Sequence, residues 1–240
     1  MQYKKKYTKI IILCGGKGKR LGNITKKIPK PLVKIKGYPI IDYKLNYYKK
    51  QGLKDFVFCT GYKSKILKKY LKKKCTNPIF FEGALNCGIL KRIYSARHTI
   101  DKSTIVSYCD TFAKINFKDL LKKHKKSKAA LTIVVAPIQN PFGIVNWNES
   151  GKLKKFEEKP ILNHFIGYSV IEPNIFKYLN RSIINLKNGK GMVKAIQQLI
   201  LKKKVNVYQF KGLQLTVNSP SQLIEAKKKI GNYFTLNESL

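Results

Sequence analysis

The apolar stretch Ile10-Ile11-Ile12-Leu13-Cys14 breaks directly into Gly15-Gly16-Lys17-Gly18-Lys19-Arg20, and this junction constrains the fold more than any other feature. Residues 7–14 read as a strand buried on both faces, too short to span a bilayer. Glycines beyond such a strand allow positive φ and let backbone N–H groups approach phosphate oxygens closely. Lys19 and Arg20 add cationic donors, and a guanidinium can bridge phosphates bidentately.

The first half continues as short apolar runs alternating with amphipathic segments. A helix is predicted over 39–51, with Ile40, Ile41, Tyr43, Leu45 and Tyr47 as apolar contacts and Gly52 as its stop. A strand at 55–60 comes next, then a helix at 64–73 whose stripe is Ile66, Leu67, Tyr70 and Leu71. A strand at 79–82, a helix at 89–99 and a strand at 103–108 complete this half. Such alternation predicts an α/β fold, a parallel sheet with helices on both faces that binds ligands at the carboxyl edge of its strands.

The second half reads as a helix at 117–125, a strand at 129–136, and a hairpin of 142–148 with 152–158 turning at Asn148-Glu149-Ser150-Gly151. Then come a strand at 165–171, a helix at 191–203, strands at 205–210 and 213–217, and a helix at 220–230. No Pro/Gly/Ser-rich linker or repeat divides the 240 residues, so one domain is expected. Within it, a portion of alternating strands and helices covers about 1–139, a more strand-rich lobe about 140–212, and a closing strand and helix about 213–240.

The formal charge of +38 raises the question of nucleic-acid binding. The only arginines are Arg20, Arg92, Arg97 and Arg181; the rest of the positive charge is lysine, which lacks the planar fork suited to base and phosphate readout. Lysine runs at 4–6, 68–74, 122–128, 202–204 and 227–229 are spread along the chain, mostly on polar helix faces. A solvated basic surface that attracts nucleotides, and no nucleic-acid partner, is therefore expected. The opening carries no small-residue cleavage site and no spanning stretch, so neither a signal peptide nor a membrane segment is expected. Five cysteines without a CxxC pair suggest reduced thiols and a cytoplasmic location rather than disulfides or zinc.

The glycine-rich loop alone is a weak signal. No Gly-Lys-Ser/Thr stands at P-loop spacing, and prolines within 23–31 do not suit the dinucleotide fingerprint. The residues around and beyond the loop are more specific. The stretch Leu13-Cys14-Gly15-Gly16-Lys17-Gly18-Lys19-Arg20-Leu21, then Thr25, Pro29-Lys30-Pro31-Leu32 and Gly37-x-Pro39-Ile40, closely resembles the signature of the sugar-1-phosphate nucleotidyltransferases. Prolines on both sides of Lys30 hold its backbone extended and fix where the ammonium points.

The resemblance implies a Rossmann-like, GT-A-like fold: a doubly wound, mixed but mostly parallel sheet with a small acceptor-binding β lobe. It implies that Leu13, Cys14, Gly15, Gly16, Lys17, Gly18, Lys19, Asn86 and Gly88 bind nucleotide, and that Arg20 and Lys30 are catalytic, neutralising the triphosphate. Tyr108-Cys109-Asp110 stands where the family carries Gly-Asp, so Asp110 would bind Mg²⁺, with Asn218 of Val217-Asn218-Ser219-Pro220 at the second ligand position. Phe142-Gly143 and Phe156-Glu157-Glu158-Lys159-Pro160 are similar to the acceptor-lobe hairpin, which assigns Lys159, Gly143 and Glu158 to the acceptor. Glu157 and Glu158 read equally as hairpin surface charges.

Three departures stand out. Asn218 replaces the usual aspartate and brings no charge. Asn86-Cys87-Gly88-Ile89 stands where cytidylyl relatives read Thr-Gly-Gly-Arg, so one cationic contact is expected to be absent. Phe165-Ile166-Gly167-Tyr168 replaces Asn-Gly-Gly-Phe, altering the acceptor pocket. The segment 54–63 looks most like glucose-1-phosphate cytidylyltransferases, so CTP is the expected donor, with GTP the nearest competitor and UTP or dTTP behind. The expected acceptor is a sugar 1-phosphate, with a non-sugar phosphomonoester as the alternative. A non-catalytic nucleotide-binding homologue and a nucleic-acid-binding protein are the readings from other classes. A homo-oligomer is left open.

Overall fold

A computed structural model describes residues 8–232 and 234. Tyr7, at the start of the first predicted strand, lies outside the described residues, as do lysines 4–6.

The first half comprises β1 (Lys9–Leu13), α1 (Asn23–Lys27), the ribbon of β2 (Lys34–Ile35) and β3 (Tyr38–Pro39), α2 (Ile40–Lys50), β4 (Asp55–Thr60), α3 (Ser64–Lys74), β5 (Ile79–Glu82), α4 (Ile89–Ser95) and β6 (Thr104–Tyr108). The second half comprises β7 (Thr111–Ala113), α5 (Phe117–Ser127), β8 (Leu131–Gln139), β9 (Ile144–Trp147), β10 (Leu153–Glu157), β11 (Ile161–Ile171), α6 (Lys190–Leu201), β12 (Val205–Gln209), β13 (Gln214–Thr216) and α7 (Pro220–Lys229). Seven strands form one sheet in the order β12-β8-β11-β6-β1-β4-β5. Every neighbouring pair is parallel except the two made by β11, so the expected mixed, mostly parallel sheet is present.

Alternation along each strand sends side chains to two cores, one on each face of the sheet. Ile10, Ile12, Phe56, Phe58 and Ile105 pack with Leu45 and Tyr48 of α2, Leu67 and Leu71 of α3, Leu120 of α5 and Leu223 of α7. Ile11, Val57 and Val106 pack on the other face with Leu90 and Ile93 of α4 and Met192, Ala195 and Leu199 of α6. Helices therefore cover both faces, as the alternation required.

Differences from the sequence-based expectations are local. Residues 23–27 form a short helix where only a proline-bearing loop was expected, because the nearest prolines, at 29 and 31, fall beyond its last turn. Ile66 is 45% exposed, so the buried stripe of α3 is narrower than predicted. The helix expected over 89–99 ends at Ser95 and resumes as a 3₁₀ turn, Arg97–Thr99. Strands β8 and β11 run past their predicted ends because they pair with each other from Ile161↔Gln139 onward, with a register shift between Phe165 and Ser169. Their outer residues are exposed and lack the apolar pattern of a core strand. This extension carries the β9–β10 hairpin, which forms as predicted. The short β7 was not predicted; its three residues pair antiparallel with β13, which brings residue 110 beside residue 217.

Candidate active site

Strands β4 and β5 lie on one side of β1 and β6 on the other. The strand order reverses between β1 and β6, the place where open α/β sheets form a crevice at their carboxyl edge. A cleft of about 270 Å³ lies there, lined by Leu13, Cys14, Gly15 and Gly16 at the end of β1 and just past it, by Lys30 and Pro31, and by Tyr108, Cys109 and Asp110 at the end of β6 and just past it. Leu85, Cys87, Ile89 and Arg92 close its other wall.

Local chemistry explains how each side chain is held. Gly18 sits at φ +64°, a left-handed turn, and its carbonyl accepts from Thr25 Oγ1 at 3.1 Å. Lys30 opens a 3₁₀ turn directly after Pro29 and is 9% exposed. Asp110 comes after β6, and its carbonyl accepts from Val217 N–H at 2.9 Å. Asn218 precedes α7, whose first turn is capped by the Ser219 hydroxyl accepting from Gln222 N–H, with Pro220 at the start of the helix. Gln222 Oε1 in turn accepts from Asn218 N–H at 2.8 Å.

These placements converge. Lys30 Nζ donates to Asp110 Oδ2 and to Asn218 Oδ1, each at 2.7 Å. The three residues are separated by up to 188 positions in sequence, yet two hard oxygens face a single point. One carboxylate and one amide oxygen suit Mg²⁺, which commonly takes one or two protein carboxylates and completes its shell with water and substrate phosphates. Among the described residues, no group of three or more His, Cys, Asp or Glu side chains could form a dedicated metal cage.

Arg92 was not singled out from sequence. It is 6% exposed, with its guanidinium donating to Thr60 O at 2.7 Å, Ala84 O at 3.0 Å and Gly15 O at 3.4 Å. It thereby ties together the turns beyond β1, β4 and β5. Space for it exists because Gly15 has no side chain: a Cβ there would lie 2.1 Å from Arg92 Nη1. Ile89 itself lines the cleft as an apolar side chain, and Arg92, one helical turn later, adds positive charge to the same wall while its guanidinium stays engaged by these carbonyls. Its signal was present in the sequence, as one of four arginines in a lysine-rich chain, set in the apolar run Ile89-Leu90-Lys91-Arg92-Ile93.

Of the other expected residues, Lys17, Lys19 and Arg20 lie on the loop outside the cleft lining, with Lys19 and Arg20 exposed. Asn86 is exposed and Gly88 is buried at the start of α4; their neighbours Leu85 and Cys87 line the cleft instead. Gly143 precedes β9, while Glu158 and Lys159 come after β10, with Lys159 Nζ 3.6 Å from Glu158 Oε1. These three meet at the base of the hairpin, exposed and apart from the cleft lining. Burial, and then the neighbouring Cys109 thiol, pushes the Cys14 thiol well above its ordinary value. Burial likewise raises Cys59 to about 12, so neither thiol is a nucleophile at neutral pH. Burial and then Asp110 raise the Tyr108 phenol to about 12, which keeps a neutral hydroxyl at the cleft wall.

Among the described residues no helix is long and apolar enough to cross a membrane. Comparison with known proteins gives a consistent picture. A probable glucose-1-phosphate cytidylyltransferase of Bacillus subtilis (strain 168) is 28% identical, over 92% of this chain and 95% of its own. The D-glycero-alpha-D-manno-heptose 1-phosphate guanylyltransferase of Campylobacter jejuni is 33% identical, over 62% of this chain and 67% of its own. Among solved structures, a UDP-glucose pyrophosphorylase from Acinetobacter baumanii superposes with a TM-score of 0.71 at 16% identity, covering 95% of both chains. The family model described as Nucleotidyl transferase matches residues 9–232. With the glycine loop, Lys30, Asp110 and Asn218 assembled at the switch point of such a sheet, the chain belongs to the sugar-1-phosphate nucleotidyltransferase family.

Proposed function

We propose that this nucleotidyltransferase joins the nucleotidyl group of CTP to a sugar 1-phosphate, giving a CDP-activated sugar and pyrophosphate. The observation that carries the reading is the meeting of Lys30, Asp110 and Asn218 at the mouth of the glycine-loop cleft. The triphosphate lies along the Gly15–Gly18 amides, and Lys30 turns from Asp110 to the phosphates as nucleotide enters. When bound at Asp110 and Asn218, Mg²⁺ supplies charge neutralisation for the phosphate oxygens.

An acceptor phosphate oxygen attacks the α-phosphorus. The new P–O bond forms as the bond to the β-phosphate oxygen breaks, and that electron pair leaves with pyrophosphate. A phosphate monoester dianion is already a nucleophile, so no general base is needed. The protein's contribution is alignment and charge: Lys30, the loop amides and the field of Arg92 hold the transferring group, while Gly143, Glu158 and Lys159 receive the acceptor. Arg20, exposed beside the loop, reaches the outer phosphates once they are present.

The near full-length cytidylyl relative supports CTP, whereas the 33% identical guanylyl relative favours GTP as the second reading. Pyrophosphate release across four NTPs, each paired with a panel of sugar 1-phosphates and other phosphomonoesters, tests both. Release requiring CTP and one sugar 1-phosphate is the expected result; release from none of the combinations would refute the reading. Lys30→Met should lower turnover by on the order of 10²–10³ while the protein stays folded.

A further inference from the structure

Lys44 lies in α2, outside the cleft lining, yet it is one of the most buried side chains in the protein at 1% exposure. It forms no ion pair among the described residues. Its ammonium donates to Thr111 O and to Tyr168 Oη at 2.7 Å, and Tyr168 Oη itself donates to Thr111 O at 2.7 Å. Three rings surround the charge, with centroids at 4.6 Å (Tyr168), 5.5 Å (Tyr48) and 5.6 Å (Phe112). Aromatic faces offset part of the desolvation of a cation, but a buried ammonium without an anion still lowers stability relative to an apolar side chain of the same length. A methionine would fill this space at lower cost to the fold. The charge therefore has a use other than stability.

The atoms it holds point to that use. Thr111 is the residue after Asp110 and the first of β7, which pairs through Thr111↔Thr216 with the strand leading to Asn218. Tyr168 belongs to β11, next to Gly167, and Gly167 packs against the Tyr108 ring so closely that a Cβ there would lie 2.8 Å from Tyr108 Cγ. Lys44 thus grips, from behind, the Thr111 carbonyl, one peptide beyond Asp110, and fastens it through Tyr168 to β11, the strand paired with β6.

We propose that Lys44 is a positioning residue: a caged ammonium that sets the Thr111 peptide so that the oxygens of Asp110 and Asn218 converge on the catalytic cation. The inference rests on the proposed function for the identity of that cation. Partners one layer behind metal ligands commonly control affinity and rate while touching no substrate.

Lys44→Met tests it through three readouts: melting temperature, Mn²⁺ binding measured by electron paramagnetic resonance with a non-reactive NTP analogue, and steady-state turnover. The expected result is an unchanged or raised melting temperature, with Mn²⁺ affinity and kcat both lower by about 10–100-fold. At saturating metal, the KM for NTP should change little. Wild-type Mn²⁺ affinity in a folded Lys44→Met protein overturns the proposal, as does a kcat loss tracking only a fallen melting temperature. Should Lys44→Met fail to fold, Tyr168→Phe removes one of the two hydrogen-bonding partners while keeping the ring; weakened Mn²⁺ binding supports the proposal, and unaltered binding overturns it. A wild-type protein inactive with every donor would defeat the functional reading alone, because the Mn²⁺ measurement does not depend on turnover.

Discussion

Arg92→Met removes a guanidinium that bonds three carbonyls, so the loss can be worked out bond by bond. Each acceptor keeps a backbone donor: Tyr62 N–H on Gly15 O, Gly83 N–H on Thr60 O, and Cys87 N–H on Ala84 O. No carbonyl is left bare, and losing a buried cation that has no carboxylate partner offsets the extra strength of its charged bonds, so each bond is worth about 0.5–1.5 kcal/mol, or about 1.5–4.5 kcal/mol for three. Gly15→Ala should lose a similar amount for the same reason. Its new Cβ would lie 2.1 Å from Nη1 and 2.4 Å from Cζ, so the guanidinium must leave all three partners. Once Arg92 is methionine, that clash is largely removed. The double variant should then be about as stable as Arg92→Met alone, a coupling of about 2–3 kcal/mol, inside the range for residues in contact. Urea denaturation of the four proteins, with a constant m-value, measures the cycle. Additive losses, or a Gly15→Ala protein of wild-type stability, would refute the view that Gly15 is small to admit Arg92.

The same geometry sets other outcomes. Lys30→Met should tighten Mn²⁺ binding to the nucleotide-free protein, because the ammonium no longer competes for Asp110 Oδ2; weaker binding would show that Lys30 helps to hold the metal site open. Asn218→Asp, assayed with nucleotide present, should lower half-saturating Mg²⁺ by roughly tenfold, as expected for one added charge beside a cation. In alkali, burial favours neutral Cys59 and Tyr108, whose values rise from 9.0 and 10.0 to about 12. Folded-state values above the unfolded ones mean that this stability is full below about pH 9 and falls as pH rises toward about 12. Circular dichroism should show unfolding as pH rises toward about 12, and Tyr108→Phe should shift that alkaline midpoint upward; an unshifted midpoint would contradict it.

The alternation of apolar runs with amphipathic segments determined, by itself, a parallel sheet with helices on both faces, since each strand needs cover on both sides. The glycine loop was a weak signal by itself, and the family resemblance gave Lys30 and Asp110 their roles. Proline restriction around residue 30 and an acidic residue directly after a buried strand are local signals, and both residues line the cleft. Asn218 was found only because its turn resembles a family pattern. Its meeting with Lys30 depends on β13, expected within 213–217, pairing with β7, whose three residues are too short to announce themselves by periodicity.

Arg92 and Lys44 were missed for a different reason. In a chain with 50 basic residues, a cation on a helix reads as one more solvated charge. Their burial arises from partners distant in sequence: carbonyls of Gly15, Thr60 and Ala84 for one, Thr111 and a ring from β11 for the other. Periodicity assigns a residue to a face, but only tertiary packing decides whether water or a carbonyl receives its charge. That decision separates the few cations that shape this cleft from the many that coat the surface.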